Sequence, residues 1–131
     1  MGLDNGIMIR RKDNLPFGVR HFDNDEWQKE PRCDIEVAYW RKCWGVRAII
    51  LDILGVPSEG ADEFKMNRCD VLAVIRALKA LNKKNWNEGA SNFWTWEECK
   101  YNHRLNIRRL KRLARIMRKH PDLEVYFYDS Y

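Results

Sequence analysis

The 131-residue chain is long enough to form one hydrophobic core, and its 45% hydrophobic content with six tryptophans argues against a disordered chain. Its 24 Lys and Arg residues outnumber 19 Asp and Glu residues, and the resulting net charge of +5 favours an anionic partner. No apolar run approaches the roughly 20 residues that a membrane-spanning helix needs, so we expect no membrane partner and no secretory signal.

The first half of the chain is predicted to contain a strand and a helix. Residues 6–11 alternate weakly between apolar and polar side chains, which indicates a short strand. Residues 15–32 form a polar connection, after which Asp34 is placed to cap a helix over residues 34–54. Gly55, two residues before a proline, is expected to end that helix.

The second half is predicted to contain a brief strand and two helices. Residues 64–66 are expected to pair with another strand, and Asn67 is placed to cap a second helix with regularly spaced apolar residues. Thr95 and Glu98 have the spacing of a capping box, which predicts a third helix over residues 96–120.

The end of the chain completes the predicted fold. Residues 123–128 (LEVYFY) are rich in β-branched and aromatic side chains and are predicted to form a strand. The fold class is therefore α+β, with three main helices packed on a small antiparallel sheet that includes the N- and C-terminal strands. We expect a single domain over residues 1–131.

The third helix carries most of the readable chemistry. Nine Lys and Arg residues and no acidic residue lie between Lys100 and Lys119, and the rest of the chain has 15 basic against 19 acidic residues. A basic face that includes an aromatic side chain can bind phosphates and stack on a base, whereas a simply solvated helix is the structural alternative. The predicted nucleic-acid or anion face comprises Tyr101, Arg104, Arg108, Lys111, Arg115 and Lys119.

A second candidate site follows from the predicted first helix. Glu36, Trp40, Cys43 and Arg47 would share one stripe of that helix, next to its apolar side. Glu36 and Arg47 would lie roughly 16 Å apart along the axis, so each charge needs another partner. Two interpretations are open, a structural ion pair and a pocket in which Arg47 and Trp40 hold a phosphate and a ring.

The sequence contains no Gly-x-Ser-x-Gly, HExxH or Walker motif. Residues 86–96 hold four aromatic side chains, which either form a stacking platform or pack into the core. His103 falls on the predicted core side of the third helix, and residues 21–26 lack the pattern of a calcium loop. We therefore predict no catalytic residue, no metal site and no cofactor, and we favour binding over enzymatic activity. Four scattered cysteines are expected to be free thiols, as in a reducing cytosol.

Three segments resemble a group of small, mostly uncharacterised proteins encoded by bacteriophages and prophages. They are the opening residues 1–4 (MGLD), residues 39–42 (YWRK) and the last residues 128–131 (YDSY). The resemblance covers both ends and the predicted first helix, and it implies a phage or mobile-element protein in the cytoplasm of a bacterial host. Small proteins of this kind often modulate a host system.

These observations lead to one favoured function and two alternatives. We expect non-enzymatic binding of a phosphate-bearing ligand, a nucleotide sequestered from a host defence pathway. The first alternative is a DNA- or RNA-binding module that uses the basic helix 96–120, and the second is an inhibitor that docks onto a host nucleic-acid-binding protein. The predicted ligand-binding residues are Asp4, Tyr39, Trp40, Arg41, Lys42, Arg47 and Ser130.

Overall fold

The computed structural model describes residues 4–22, 34–41, 43–57, 61–84 and 96–130. In these ranges the chain forms four strands, three α-helices and one 3₁₀ helix. In chain order they are β1 (Asp4–Ile9), the 3₁₀ helix (Phe17–Phe22), β2 (Ile35–Arg41), α1 (Trp44–Leu54), β3 (Ala61–Met66), α2 (Arg68–Lys79), α3 (Trp96–Lys119) and β4 (Val125–Ser130).

The predicted α+β fold with paired terminal strands is confirmed. The four strands form one sheet in the order β2-β1-β4-β3, and every neighbouring pair is antiparallel. The first and last strands therefore occupy the two central positions, where Ile7 lies opposite Ala38 on one side and Phe127 on the other. The helices cover one face of the sheet and enclose the core there.

The prediction of a continuous helix over residues 34–54 is wrong. Residues 35–41 form β2, because this β-branched and aromatic segment pairs along the edge of β1. Asp34 does not cap a helix. Its carboxylate accepts the backbone N–H of Arg11 at 2.8 Å and pairs with Arg10 at 3.1 Å. The helix is limited to α1, whose N-cap residue Cys43 makes no side-chain cap hydrogen bond.

This correction removes the predicted stripe of the first helix. In β2, Glu36 and Tyr39 lie on the face of the sheet away from the helices, whereas Trp40 lies opposite Asn5 on the helix-covered face. Glu36 and Trp40 are four residues apart and would share one side of a helix, but in β2 they lie on opposite faces of the sheet. A register shift between Ile7 and Met8 adds one residue to β2 and leaves both Val37 and Ala38 buried.

The other predicted elements are present with changed bounds. Asn67 caps α2 as expected, since its side chain accepts the Asp70 N–H at 2.8 Å and the Asp70 carboxylate accepts the Asn67 N–H at 2.9 Å. Gly55 ends α1 in the left-handed region at φ 66°. The capping box predicted for Thr95 and Glu98 lies outside the described residues.

The side of α3 predicted to face the core does so. Its buried residues include Leu110, Leu113 and Met117, which pack with the buried residues of α2 and the sheet. His103 is also buried, and its Nε2 lies 2.8 Å from the Leu78 carbonyl oxygen. Because a carbonyl only accepts, this nitrogen carries the proton and His103 is a hydrogen-bonded core residue.

Polar side chains of α3 also cover the outer edge of β2. The Asn106 amide donates to the Tyr39 carbonyl oxygen at 2.9 Å and accepts the Tyr39 N–H at 3.4 Å, as a neighbouring strand would. Three residues further along α3, Arg109 donates to the Glu36 carbonyl oxygen at 2.8 Å. These contacts satisfy backbone groups at an edge strand and fix the orientation of α3 about its own axis.

Asn106→Leu should lower the free energy of unfolding by about 2 kcal/mol, because it removes both hydrogen bonds to Tyr39 in a buried setting. Urea denaturation measures this loss. The matched control is Asn102→Leu, since Asn102 is exposed and reaches the same carbonyl only at 3.3 Å. Equal losses in the two variants would show that Asn106 does not secure the edge of β2.

The stability of the protein should also depend on the protonation of His103. Burial lowers the pKa of this imidazole below its usual 6.5, so the folded chain holds it neutral while the unfolded chain takes up a proton. The free energy of unfolding should therefore fall as the pH drops below about 6.5, by at most about 1.4 kcal/mol per pH unit. His103→Gln should lose less stability than the wild type between about pH 7.5 and about pH 5.5, and an unchanged pH dependence would contradict this assignment.

Candidate functional site

A buried charged cluster joins α1 to the centre of the sheet. The Asp129 side chain on β4 is 1% exposed as a residue and faces the helices. Arg47 Nε, from α1, donates to both Asp129 carboxylate oxygens at 2.9 and 3.0 Å. On the neighbouring strand, Asn5 Nδ2 donates to Asp129 Oδ1 at 2.5 Å. The cluster therefore compensates the buried carboxylate with one cation and one amide.

This cluster changes the interpretation of two predicted ligand-binding residues. Arg47 was expected either to pair structurally or to hold a phosphate, and its side chain is 15% exposed and engaged with Asp129. The Arg47 guanidinium also lies 5.4 Å from the ring centre of Trp44. Trp40 is 1% exposed, so its ring belongs to the core and offers no stacking surface. The structural ion pair is the interpretation that the geometry favours.

The remaining predicted ligand-binding residues that the structure describes lie at the same end of the sheet. Asp4 is the register partner of both Arg41 and Ser130, so these three residues are neighbours in the sheet. The Tyr39 hydroxyl donates to the Asp4 carboxylate, and burial together with this hydrogen bond raises the pKa of Tyr39. These residues lie on the opposite face of the sheet from the cluster around Arg47, and Lys42 is outside the described residues.

The face of the sheet away from the helices carries paired charges. Arg10 pairs with Asp34 at 3.1 Å, with Glu63 at 2.8 Å and with Glu124 at 3.3 Å, and its guanidinium lies 4.2 Å from the ring centre of Tyr126. The hydrogen bond to Glu63 and the surrounding negative charge raise the pKa of Arg10 further above its usual value. Three carboxylates therefore surround Arg10 and outweigh its single positive charge.

The outer side of α3 has the opposite character. We call it the α3 basic face, and it is formed by seven exposed cations: Arg104, Arg108, Lys111, Arg112, Arg115, Arg118 and Lys119. Within the part of the chain that the structure describes, none of the seven forms an ion pair. Of the other two cations of the helix, Arg109 is directed to the Glu36 carbonyl oxygen and Lys100 pairs with Glu97 at 2.7 Å.

The cations form a continuous stripe because of the helical period. Tyr101, Arg104, Arg108, Lys111 and Arg115 follow one another at alternating spacings of three and four residues, and Arg118 extends the series. The stripe from Tyr101 to Arg118 is about 26 Å long, the axial length of about seven to eight base pairs. Tyr101 is 78% exposed at one end of it, so an aromatic ring is available beside the charges.

Helix α2 adds a cation to the basic face. The Lys79 side chain lies beside Lys111, and its pKa-lowering effect on Lys111 comes first from a hydrogen bond to the neutral Lys111 amine and then from charge repulsion. Two ammonium groups held close together repel each other unless an anion lies between them. This part of the surface therefore favours a negatively charged partner.

A groove lies at the C-terminal end of the basic face. We call it the α3 groove; it has a volume of about 420 Å³ and separates the 3₁₀ helix from α3. Its lining residues are Pro16, Phe17, Gly18, Arg112, Arg115, Ile116, Lys119 and His120. Phe17 is 75% exposed at its rim. The groove thus combines an aromatic ring with three cations that belong to the α3 basic face.

The amino-acid sequence indicated the cations of the groove but not the groove itself. Phe17 lies in the predicted polar connection over residues 15–32, between a proline and a glycine. The segment also holds Phe22 and Trp27, and nothing in its sequence distinguishes a buried ring from an exposed one. Its position becomes evident only because the 3₁₀ helix packs beside α3 through the buried residues Val19 and Phe22.

Arg47→Met should lower the free energy of unfolding by about 3 kcal/mol, because it leaves the buried Asp129 carboxylate without its cation. Urea or thermal denaturation measures the loss. Arg76→Met, on the exposed side of α2, is the matched control and should change stability by less than about 0.5 kcal/mol. If both variants were equally stable, the cluster around Asp129 would not be a structural element.

The described residues contain no group of three or more His, Cys, Asp and Glu side chains that could hold a metal ion. Among the helices within these same ranges, none is both long and apolar enough to cross a membrane. Comparisons of the chain with models of protein families, with curated proteins and with solved structures found no match. The charge and shape of the α3 basic face are therefore the main guide to what the protein binds.

Proposed function

We propose that this protein binds nucleic acid, without catalysis, through the α3 basic face. The observation that carries the proposal is the group of seven exposed cations on one side of one helix, none of them in an ion pair within the described residues. Exposed positive side chains attract the phosphates of DNA or RNA and release the condensed counterions.

The shape of the surface supports contacts to the phosphate backbone. The outer side of a straight helix is convex, and the stripe of cations along it is long enough to contact several successive phosphates. Backbone contacts of this kind position a protein on nucleic acid without reading its sequence. The proposal therefore predicts binding that depends strongly on salt and weakly on sequence.

The sequestration of a nucleotide, which the sequence analysis favoured, has less support from the geometry. It relied on Arg47 for a phosphate and on Trp40 for stacking, and these side chains are engaged with Asp129 and buried in the core. Nucleic-acid binding, the first alternative of the sequence analysis, uses residues that the structure leaves exposed. Docking onto an acidic host protein would use the same face. The oligonucleotide-binding experiment described below distinguishes this alternative from nucleic-acid binding.

The biological setting is part of the proposal. The resemblance of residues 1–4, 39–42 and 128–131 to phage and prophage proteins supports a role in a bacteriophage or other mobile element. In such a setting the protein would act in the cytoplasm of the bacterial host, where a DNA or RNA partner is accessible.

The double variant Arg108→Gln/Arg115→Gln should bind DNA more weakly and with a smaller salt dependence. Two lost phosphate contacts reduce the slope of log K against log salt concentration by about 1.5. Fluorescence anisotropy with labelled oligonucleotides of about 30 nucleotides, single-stranded and duplex, at about 50 to about 300 mM salt measures both quantities.

The matched control is Arg41→Gln/Lys65→Gln, which removes the same charge from exposed residues of β2 and β3. It should leave the salt slope unchanged. Equal effects of the two double variants would place binding outside the α3 basic face. No binding of any oligonucleotide by the wild type would contradict the proposal and favour a protein partner.

A further inference from the structure

The α3 groove has two chemically different walls. Pro16, Phe17 and Ile116 provide apolar surface, and Arg112, Arg115 and Lys119 provide positive charge. Its volume of about 420 Å³ falls in the range of small-molecule sites, whereas a DNA or RNA duplex is too wide to enter a cleft of this size. The groove therefore fits one flat, apolar ring that is attached to a phosphate.

The aromatic ring at the rim is held by a fixed element. The 3₁₀ helix inserts Val19 and Phe22 into the core, and the Val19 N–H donates to the Pro16 carbonyl oxygen at 3.1 Å. Arg109 of α3 donates to the Phe22 carbonyl oxygen at 3.2 Å, with its guanidinium 5.5 Å from the centre of the Phe22 ring. Phe17 is therefore presented to solvent by a helix that is anchored to α3, next to the cations.

One residue connects the groove to the longer basic stripe. Arg115 lines the groove and also continues the series that begins at Tyr101. A nucleic-acid backbone that follows the stripe toward the C-terminal end of α3 therefore reaches Arg115 and then the groove. At that point a base is within reach of Phe17, provided that it is not paired with another strand.

We infer that the α3 groove binds an unpaired nucleotide of a single-stranded DNA or RNA, with the base stacked on Phe17 and the adjoining phosphates at Arg112, Arg115 and Lys119. This inference rests on the proposed function and specifies its substrate class as single strands. Stacking on an aromatic ring requires the face of a base to be free, which a continuous duplex does not offer.

Phe17→Ala should weaken the binding of a single-stranded oligonucleotide about tenfold and leave duplex binding and the salt slope unchanged. The probe is a labelled single strand of about 12 nucleotides with one 2-aminopurine, compared with the same sequence in a hairpin duplex. The wild type should bind the single strand more tightly, and stacking should quench the 2-aminopurine fluorescence.

Two variants serve as controls. Phe17→Trp keeps an aromatic surface and should retain single-strand affinity and quenching. Tyr101→Ala removes another highly exposed aromatic residue of the described surface, at the far end of the stripe, and should reduce the quenching less than Phe17→Ala does. Because Phe17 is 75% exposed, its replacement is expected to leave the fold intact, and circular dichroism with a thermal melt verifies this.

The outcomes separate the failure of this inference from the failure of the proposed function. Salt-dependent binding of single strands and duplexes with equal affinity, unaffected by Phe17→Ala, would overturn the inference and leave the proposed function standing. No oligonucleotide binding at all would overturn both. Equal quenching by a free mononucleotide containing 2-aminopurine, surviving high salt, would replace the inference with a pocket for free nucleotides.

Discussion

The orientation of α3 about its axis is the constraint on which the proposed function depends. This orientation is fixed by the amide of Asn106, which replaces a neighbouring strand at the backbone of Tyr39. The buried residues Leu110 and Leu113 follow on the same side of the helix and pack into the core. The polar contacts of Asn106 and the buried apolar residues define the same inward side of α3. The cations, which recur at spacings of three and four residues, therefore lie on the outward side.

The distribution of ion pairs gives this arrangement its electrostatic effect. The buried carboxylate of Asp129 is compensated by Arg47, and the carboxylates of Asp34, Glu63 and Glu124 pair with Arg10. Acidic groups that are already paired within the protein are not available to neutralise α3. The modest net charge of +5 is therefore concentrated on α3, beside a sheet whose positive and negative charges nearly balance.

The predicted ligand site shows how one misassigned element changes a functional interpretation. The spacing of Glu36, Trp40 and Arg47 fits a helix of 3.6 residues per turn, and these residues were expected on one surface. In the structure, Trp40 and Glu36 lie on opposite faces of β2, and Arg47 belongs to a separate helix. Short segments rich in Val, Ile, Tyr and Trp have a weak intrinsic preference for the helix. Pairing with a neighbouring strand therefore decided their secondary structure.

The sequence by itself determined the features that depend on local spacing. These are the capped helix after Asn67, the long helix ending near His120, the separation of its core and basic sides, and the aromatic strand near the end of the chain. Local hydrogen bonds and the helical period define them without distant partners.

Only the tertiary structure decided which charges are used within the protein. Arg47 and Asp129 are 82 residues apart in the chain, and nothing in the local sequence of either residue indicates their pairing. The exposure of Phe17 likewise depends on how the 3₁₀ helix packs against α3. Long-range contacts therefore give Arg47, a predicted ligand-binding residue, a structural role. They also form the α3 groove beside the predicted basic face.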